Sequence, residues 1–225
     1  MARIFLVLAV IAVAFLAANF LVGLLAGDFN AAARARREAQ AELQAVQRQM
    51  RLARISTAPE LAAAKEKLAA ADAAFQKPRS WMTIHMLLGS AAALLAVLVN
   101  SITITYFVGT SRWCKEVCET YGIRGELAER STRLKRSTFP WALAGILAII
   151  VVVGLGAAAD PSGANFQRSS AFVMPHYVGA MLGLVVVMVA FGVQISRIAE
   201  NYAVIQQILA EVGRIRAEKG LPTEE

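Results

Sequence analysis

The sequence predicts an all-α integral membrane protein: a four-helix transmembrane bundle with an extramembrane antiparallel helical hairpin and cytoplasmic helical extensions. Three observations predict it. Of the 225 residues, 57% are hydrophobic, above the usual soluble range of about 45–50%. The apolar residues gather into four stretches, each longer than the roughly 18–20 residues a helix needs to cross a hydrocarbon core of about 30 Å. None of the four contains Asp, Glu, Lys or Arg, and a backbone in lipid must satisfy its own hydrogen bonds, which requires helices.

The first span occupies residues 1–27. Its apolar run, "IFLVLAVIAVAFLAANFLVGLLAG", is too long for the 7–15-residue core of a cleaved signal, so a retained anchor is expected. Residues 28–80 follow as the hairpin. "NAAARARREAQAELQAVQRQMRLARI" is free of Gly and Pro, and Ala39, Leu43, Val46, Met50 and Ala53 repeat at alternating four- and three-residue steps as one apolar seam. A second helix opens at "TAPE", where Thr57 and Glu60 have capping-box spacing and Pro59 sits in the first turn. Its seam is Leu61, Ala64, Leu68, Ala71 and Phe75, and the two seams would close on each other.

The second span is 81–109. It is expected to run on through "GTSRWCKEVCETY" until Gly122 ends it. Residues 110–138 form a basic cytoplasmic helical loop in which "RGELAERSTRLKRST" reads as a short helix stopped by Pro140. The third span is 139–159, the short outer loop 160–168, and the fourth span 169–195. Residues 196–225 form a cytoplasmic amphipathic helix and tail, with Ile198, Tyr202, Ile205, Leu209 and Val212 at heptad spacing.

Basic residues orient the chain. The loop 110–138 carries seven Lys/Arg and the loop 160–168 only Arg168, which places the first loop and both termini in the cytoplasm and the hairpin outside. The hairpin opposes this with ten Lys/Arg against six Asp/Glu. It is, however, near the length beyond which loops stop obeying the rule. The net charge of +7 is spread over separate segments among carboxylates, so membrane lipid headgroups are the expected partners, and nucleic acid is not.

Chemistry could come from few places. His85 and His176 are the only histidines, each just inside an even-numbered span. In an up-down-up-down bundle those spans run parallel, and the two depths differ by less than one helical turn of about 5.4 Å. Two imidazoles from facing helices are what a bis-histidine b-type haem requires. Gly89, Gly179 and Gly183 would leave room for the porphyrin, and Lys77, Arg79 or Arg168 would pair with its propionates. A quinone would suit the same apolar site. Trp81 and Tyr177 beside the histidines fit an interfacial belt equally well, and Gly179 and Gly183 fit close helix packing. A duplicated two-helix unit is a further possibility.

Cys114 and Cys118 lie on one helical face but lack the other half of a metal site, so reduced structural thiols are expected. Zinc on the histidines would need carboxylates such as Asp160. Asn100, Ser101, Thr103 and Thr105 read as interhelical hydrogen-bonding groups, and no intramembrane carboxylate or broken helix marks a transport path. Phosphate-binding loops, zinc-protease motifs and nucleophile elbows are absent from the sequence. The expected role is therefore a non-catalytic structural, assembly or accessory subunit. Its contacts would run through Leu61, Leu68 and Phe75 of the hairpin and Ile205, Leu209 and Val212 of the C-terminal helix, to other subunits or to a second copy. The alternative is an electron-transfer subunit with haem or quinone at the histidines.

Overall fold

The computed structural model describes residues 2–54, 59–163 and 166–222. It consists of five helices: α1 (Ala2–Leu25), α2 (Phe29–Ala53), α3 (Pro59–Tyr121), α4 (Glu126–Ala159) and α5 (Ser169–Glu218). No strand occurs among the described residues. Four of the helices, all but α2, are long and apolar enough to cross a membrane. Only 17–28% of the residues in their most apolar windows are buried, so most of that apolar surface faces outward.

Local chemistry sets most of the boundaries. Gly27, at φ +65°, takes the left-handed conformation after α1. Asp28 then caps α2, its carboxylate accepting from the Ala31 amide at 2.9 Å. Gly122, at φ +66°, closes α3 where the sequence placed its end. Thr57 of the expected capping box lies outside the described residues, and α3 begins at Pro59.

One expected stop, at Pro140, is absent, and the hairpin stretch and second span share one helix. α3 is one helix of 63 residues, running through Pro78 from the hairpin stretch into the second span. α4 starts at Glu126 and passes through Pro140, so the basic segment is the first part of the third span and is not a separate helix stopped by proline. A proline removes one intrahelical bond and strains the turn before it, but the helix survives where neighbouring turns are held. Ser137 and Thr138 both donate to the Leu134 carbonyl just ahead of Pro140.

The chain divides into two compact units. The first comprises Met1–Ala14, Ala92–Val151 and Leu182–Glu225. Its core is densely packed, with Ala92, Ala96, Val99, Phe107, Ala142, Val187, Ala190, Val204 and Ile208 fully buried. Phe5 meets Phe191 edge-on, ring centroids 6.3 Å apart. Polar side chains are sealed into the same core and satisfy one another. Thr103 donates to Gln194 Oε1 at 2.6 Å, and Gln194 Nε2 donates to Asn100 Oδ1 at 2.8 Å. Ser131 donates to Asn201 Oδ1, and Asn201 Nδ2 donates to Tyr106 and Thr110. Of the expected polar group in the second span, Asn100 and Thr103 are buried, Ser101 is half-buried and Thr105 faces out.

The buried stripe of α5 also differs from the expected seam. It runs through Gln194, Ile198, Asn201, Val204 and Ile208, leaving Tyr202 and Leu209 52% and 45% exposed and Ile205 and Val212 half-buried. A reading that seeks apolar residues alone skips the two buried amides, which are core members because their hydrogen bonds are met.

The second unit comprises Phe15–Ala91 and Val152–Met181. Within it α2 lies against the first part of α3, and the paired positions rise along one as they fall along the other. Phe29 stacks on Phe75 at 5.4 Å, Arg36 bonds Asp72 at 2.5 Å, and Lys67 bonds Glu42 at 2.5 Å. Ala39 and Ala64 are buried, and Leu43, Val46, Met50, Leu61, Leu68, Ala71 and Phe75 are half-buried, while Ala53 is exposed. The start of α2 is tied to the α4–α5 connection. Asn30 donates to the Ala159 carbonyl and accepts from Ser169, and Arg37 donates to the Pro161 carbonyl at 2.5 Å with its guanidinium over Phe166.

Candidate functional site: the histidine pair

Both histidines belong to the second unit, His85 on α3 and His176 on α5. They face each other, with ring centroids 6.2 Å apart and planes crossed at 78°. Each ring is held in the same way. His85 Nδ1 donates to the Asn19 carbonyl of α1 at 3.0 Å, and His176 Nδ1 donates to the Val152 carbonyl of α4 at 3.2 Å. A carbonyl can only accept, so these bonds place the proton on Nδ1 and leave each Nε2 with a free lone pair.

The repeat extends to the surface behind each ring. Four residues beyond Asn19 stands Gly23, where a Cβ would lie 3.0 Å from His85 Cε1; four residues beyond Val152 stands Gly156, where a Cβ would lie 3.0 Å from His176 Cε1. Glycine lets each imidazole lie flush on the neighbouring helix. Thus α1 with α3 and α4 with α5 present one design twice, carbonyl, turn, glycine and docked imidazole. This geometric correspondence agrees with the weak two-helix repeat suggested by the histidine positions.

The glycines singled out from the sequence do other work. A Cβ at Gly89 would meet the Asn19 amide and one at Gly179 would meet Leu155, while Gly183 is buried within the first unit. Sequence reasoning searched beside each histidine on its own helix, whereas the ring-facing glycines stand on the preceding span. Their signal was a Gly near the same end of both odd-numbered spans.

Residues 15–25, 81–91, 152–160 and 170–181 contain no buried residue, and both histidines are half-buried. The Asn19 Oδ1 atom is sealed from solvent yet has no hydrogen-bond partner among the described residues. Phe20 and Tyr177 pack together at 5.4 Å. Arg79 and Arg168 are exposed and have no carboxylate partner among the described residues.

The remaining candidates form no site. Cys114 and Cys118 are free, buried thiols, and burial pushes both upward from the ordinary thiol range. Asp160 accepts from the amide and hydroxyl of Ser162 in the α4–α5 connection. No group of three or more His, Cys, Asp or Glu able to hold a metal ion occurs among the described residues. No protein-family model, curated protein or solved structure matches the chain.

Proposed function

We propose that this chain is a four-span integral membrane protein whose histidine pair forms an electron-transfer site for haem or quinone. In this reading α2 and the first part of α3 make the extramembrane antiparallel hairpin on the outer side. The far end of α3, the basic start of α4 and the end of α5 lie in the cytoplasm. One observation carries the functional reading: two imidazoles, each fixed by a main-chain carbonyl and a glycine, face each other in a layer that contains no buried residue.

The test is to purify the chain from membranes in mild detergent and extract it for bound haem and quinone. A redox-active group in near-stoichiometric amount, lost from the His85→Ala and His176→Ala double variant, is the expected result. Absence of both kinds of molecule from a folded, monodisperse preparation overturns the reading.

A role as an accessory or assembly subunit is supported by a separate observation and is compatible with the first. Tyr202 and Leu209 remain exposed on α5 beside the buried stripe, whereas Leu61, Leu68 and Phe75 are turned toward half-buried positions in the hairpin stretch. The contact surface is therefore proposed on α5. A photo-crosslinking side chain at Tyr202 should capture a second copy or another membrane subunit in cells, and a strictly uncrosslinked chain counts against this role.

A further inference from the structure

Resting on the electron-transfer reading, we infer that the site takes a b-type haem, bound axially by His85 and His176 with crossed imidazole planes. Separation comes first. A histidine nitrogen sits about 2 Å from a bound first-row metal and a little over 1 Å from its own ring centre. Two imidazoles on opposite sides of one iron therefore have centroids about 6 Å apart. The observed value is 6.2 Å.

The donor set of the two rings themselves favours haem over quinone. A quinone presents carbonyl oxygens and needs hydrogen-bond donors, yet the only N–H of each neutral ring is already given to Asn19 O or Val152 O. What remains is one Nε2 lone pair on each side, which is an axial ligand set. Donation from Nδ1–H to a main-chain carbonyl is also the outer contact that fixes ring orientation and raises the basicity of a metal-binding histidine. Arg79 stands about 9 Å of helical rise from His85, Arg168 precedes the first residue of α5, and both are exposed and free to meet propionates.

The crossing angle gives the inference its sharpest consequence. Each ring plane is set by a different helix, α1 for His85 and α4 for His176, and the two settings place the planes 78° apart. Crossed axial imidazoles leave the two iron orbitals that interact with them nearly equal in energy. Coplanar imidazoles split them. The ferric protein should accordingly give a highly anisotropic low-spin electron paramagnetic resonance signal and lack the rhombic signal of coplanar ligands.

The experiment uses the full chain, produced with haem supply and purified in mild detergent. Expected are a b-type reduced-minus-oxidised spectrum at one haem per chain and the highly anisotropic ferric signal. His85→Gly and His176→Gly should each lose the low-spin spectrum while keeping helical content, and added imidazole should restore it. That rescue separates a lost ligand from a lost fold. A helical, monodisperse chain that binds no haem overturns the inference, as does haem retained unchanged in both variants. A rhombic ferric signal overturns the crossed geometry. Quinone found in place of haem, and lost with the histidines, overturns the haem while leaving the electron-transfer reading standing; neither molecule found overturns both.

Discussion

Gly23 and Gly156 show how much of the site depends on atoms that are missing. A Cβ at either position would lie 3.0 Å from an imidazole carbon, a few tenths of an ångström inside ordinary contact. Alanine would gain up to about 1 kcal/mol of helix propensity over glycine, which offsets much of so small a clash. Leucine gains nearly as much propensity, but its branch must occupy the space of the ring, a clash that this gain does not offset. In Gly156→Leu the His176 ring should leave the Val152 carbonyl while His85 stays docked on Asn19. With only two histidines in the chain, nitrogen-15 NMR of the haem-free protein reads this directly. The parent should show two Nδ1–H rings, and the variant one, with His176 returning to the Nε2–H tautomer that free histidine favours. Gly23→Leu should give the mirror result at His85. Two unaltered Nδ1–H signals in both variants would mean that the glycines do not hold the rings.

Elements were legible in proportion to how local their causes are. The four apolar stretches and the Gly122 stop follow from hydropathy and a left-handed glycine, and both are present, while of the seams read from heptad spacing Ala39 and Ala64 are buried, Ala53 is exposed and the rest are half-buried. Pro140 misled because a proline's cost of about 3 kcal/mol is a local quantity. The turns around Pro140 instead belong to a well-packed unit in which Leu134, Thr138 and Ala142 are buried. The α5 stripe misled for a related reason. Asn201 and Gln194 are polar by composition, yet Ser131, Tyr106, Thr110, Thr103 and Asn100 supply their hydrogen bonds. Such interhelical bonds contribute about 0.6 kcal/mol each in membrane bundles, a modest sum that still fixes which helix faces meet. The histidine pair lay between these cases. Its members and their matching depth could be read from the sequence, but the carbonyls and glycines that orient them lie on other helices, and no local pattern names a partner helix.

At the scale of the whole molecule, the four-span proposal turns on which ends of the long helices lie on which side of a membrane. At 1.5 Å per residue, the 63 residues of α3 and the 50 of α5 extend about 95 and 75 Å. Both far exceed a hydrocarbon core of about 30 Å. In the four-span reading large parts of them would therefore stand in water, and the charges should decide where. Arg124 sits in the short α3–α4 connection and Arg130, Arg133, Lys135 and Arg136 in the first turns of α4, where positive charge retains a segment in the cytoplasm most reliably. The ten basic residues of 28–80 argue the other way, but that segment is long, and three of the ten are already held, Arg36 by Asp72, Lys67 by Glu42 and Arg37 by the Pro161 carbonyl. The hairpin should be outside. In a background with Cys114→Ser and Cys118→Ser, single cysteines at the exposed positions Gln44 and Ser162 should react with an impermeant maleimide on intact cells. A cysteine at the exposed position Lys219 should react only after permeabilisation. The reverse pattern would place the hairpin and the histidine end of the bundle toward the cytoplasm, and with them any partner that exchanges electrons at His85 and His176.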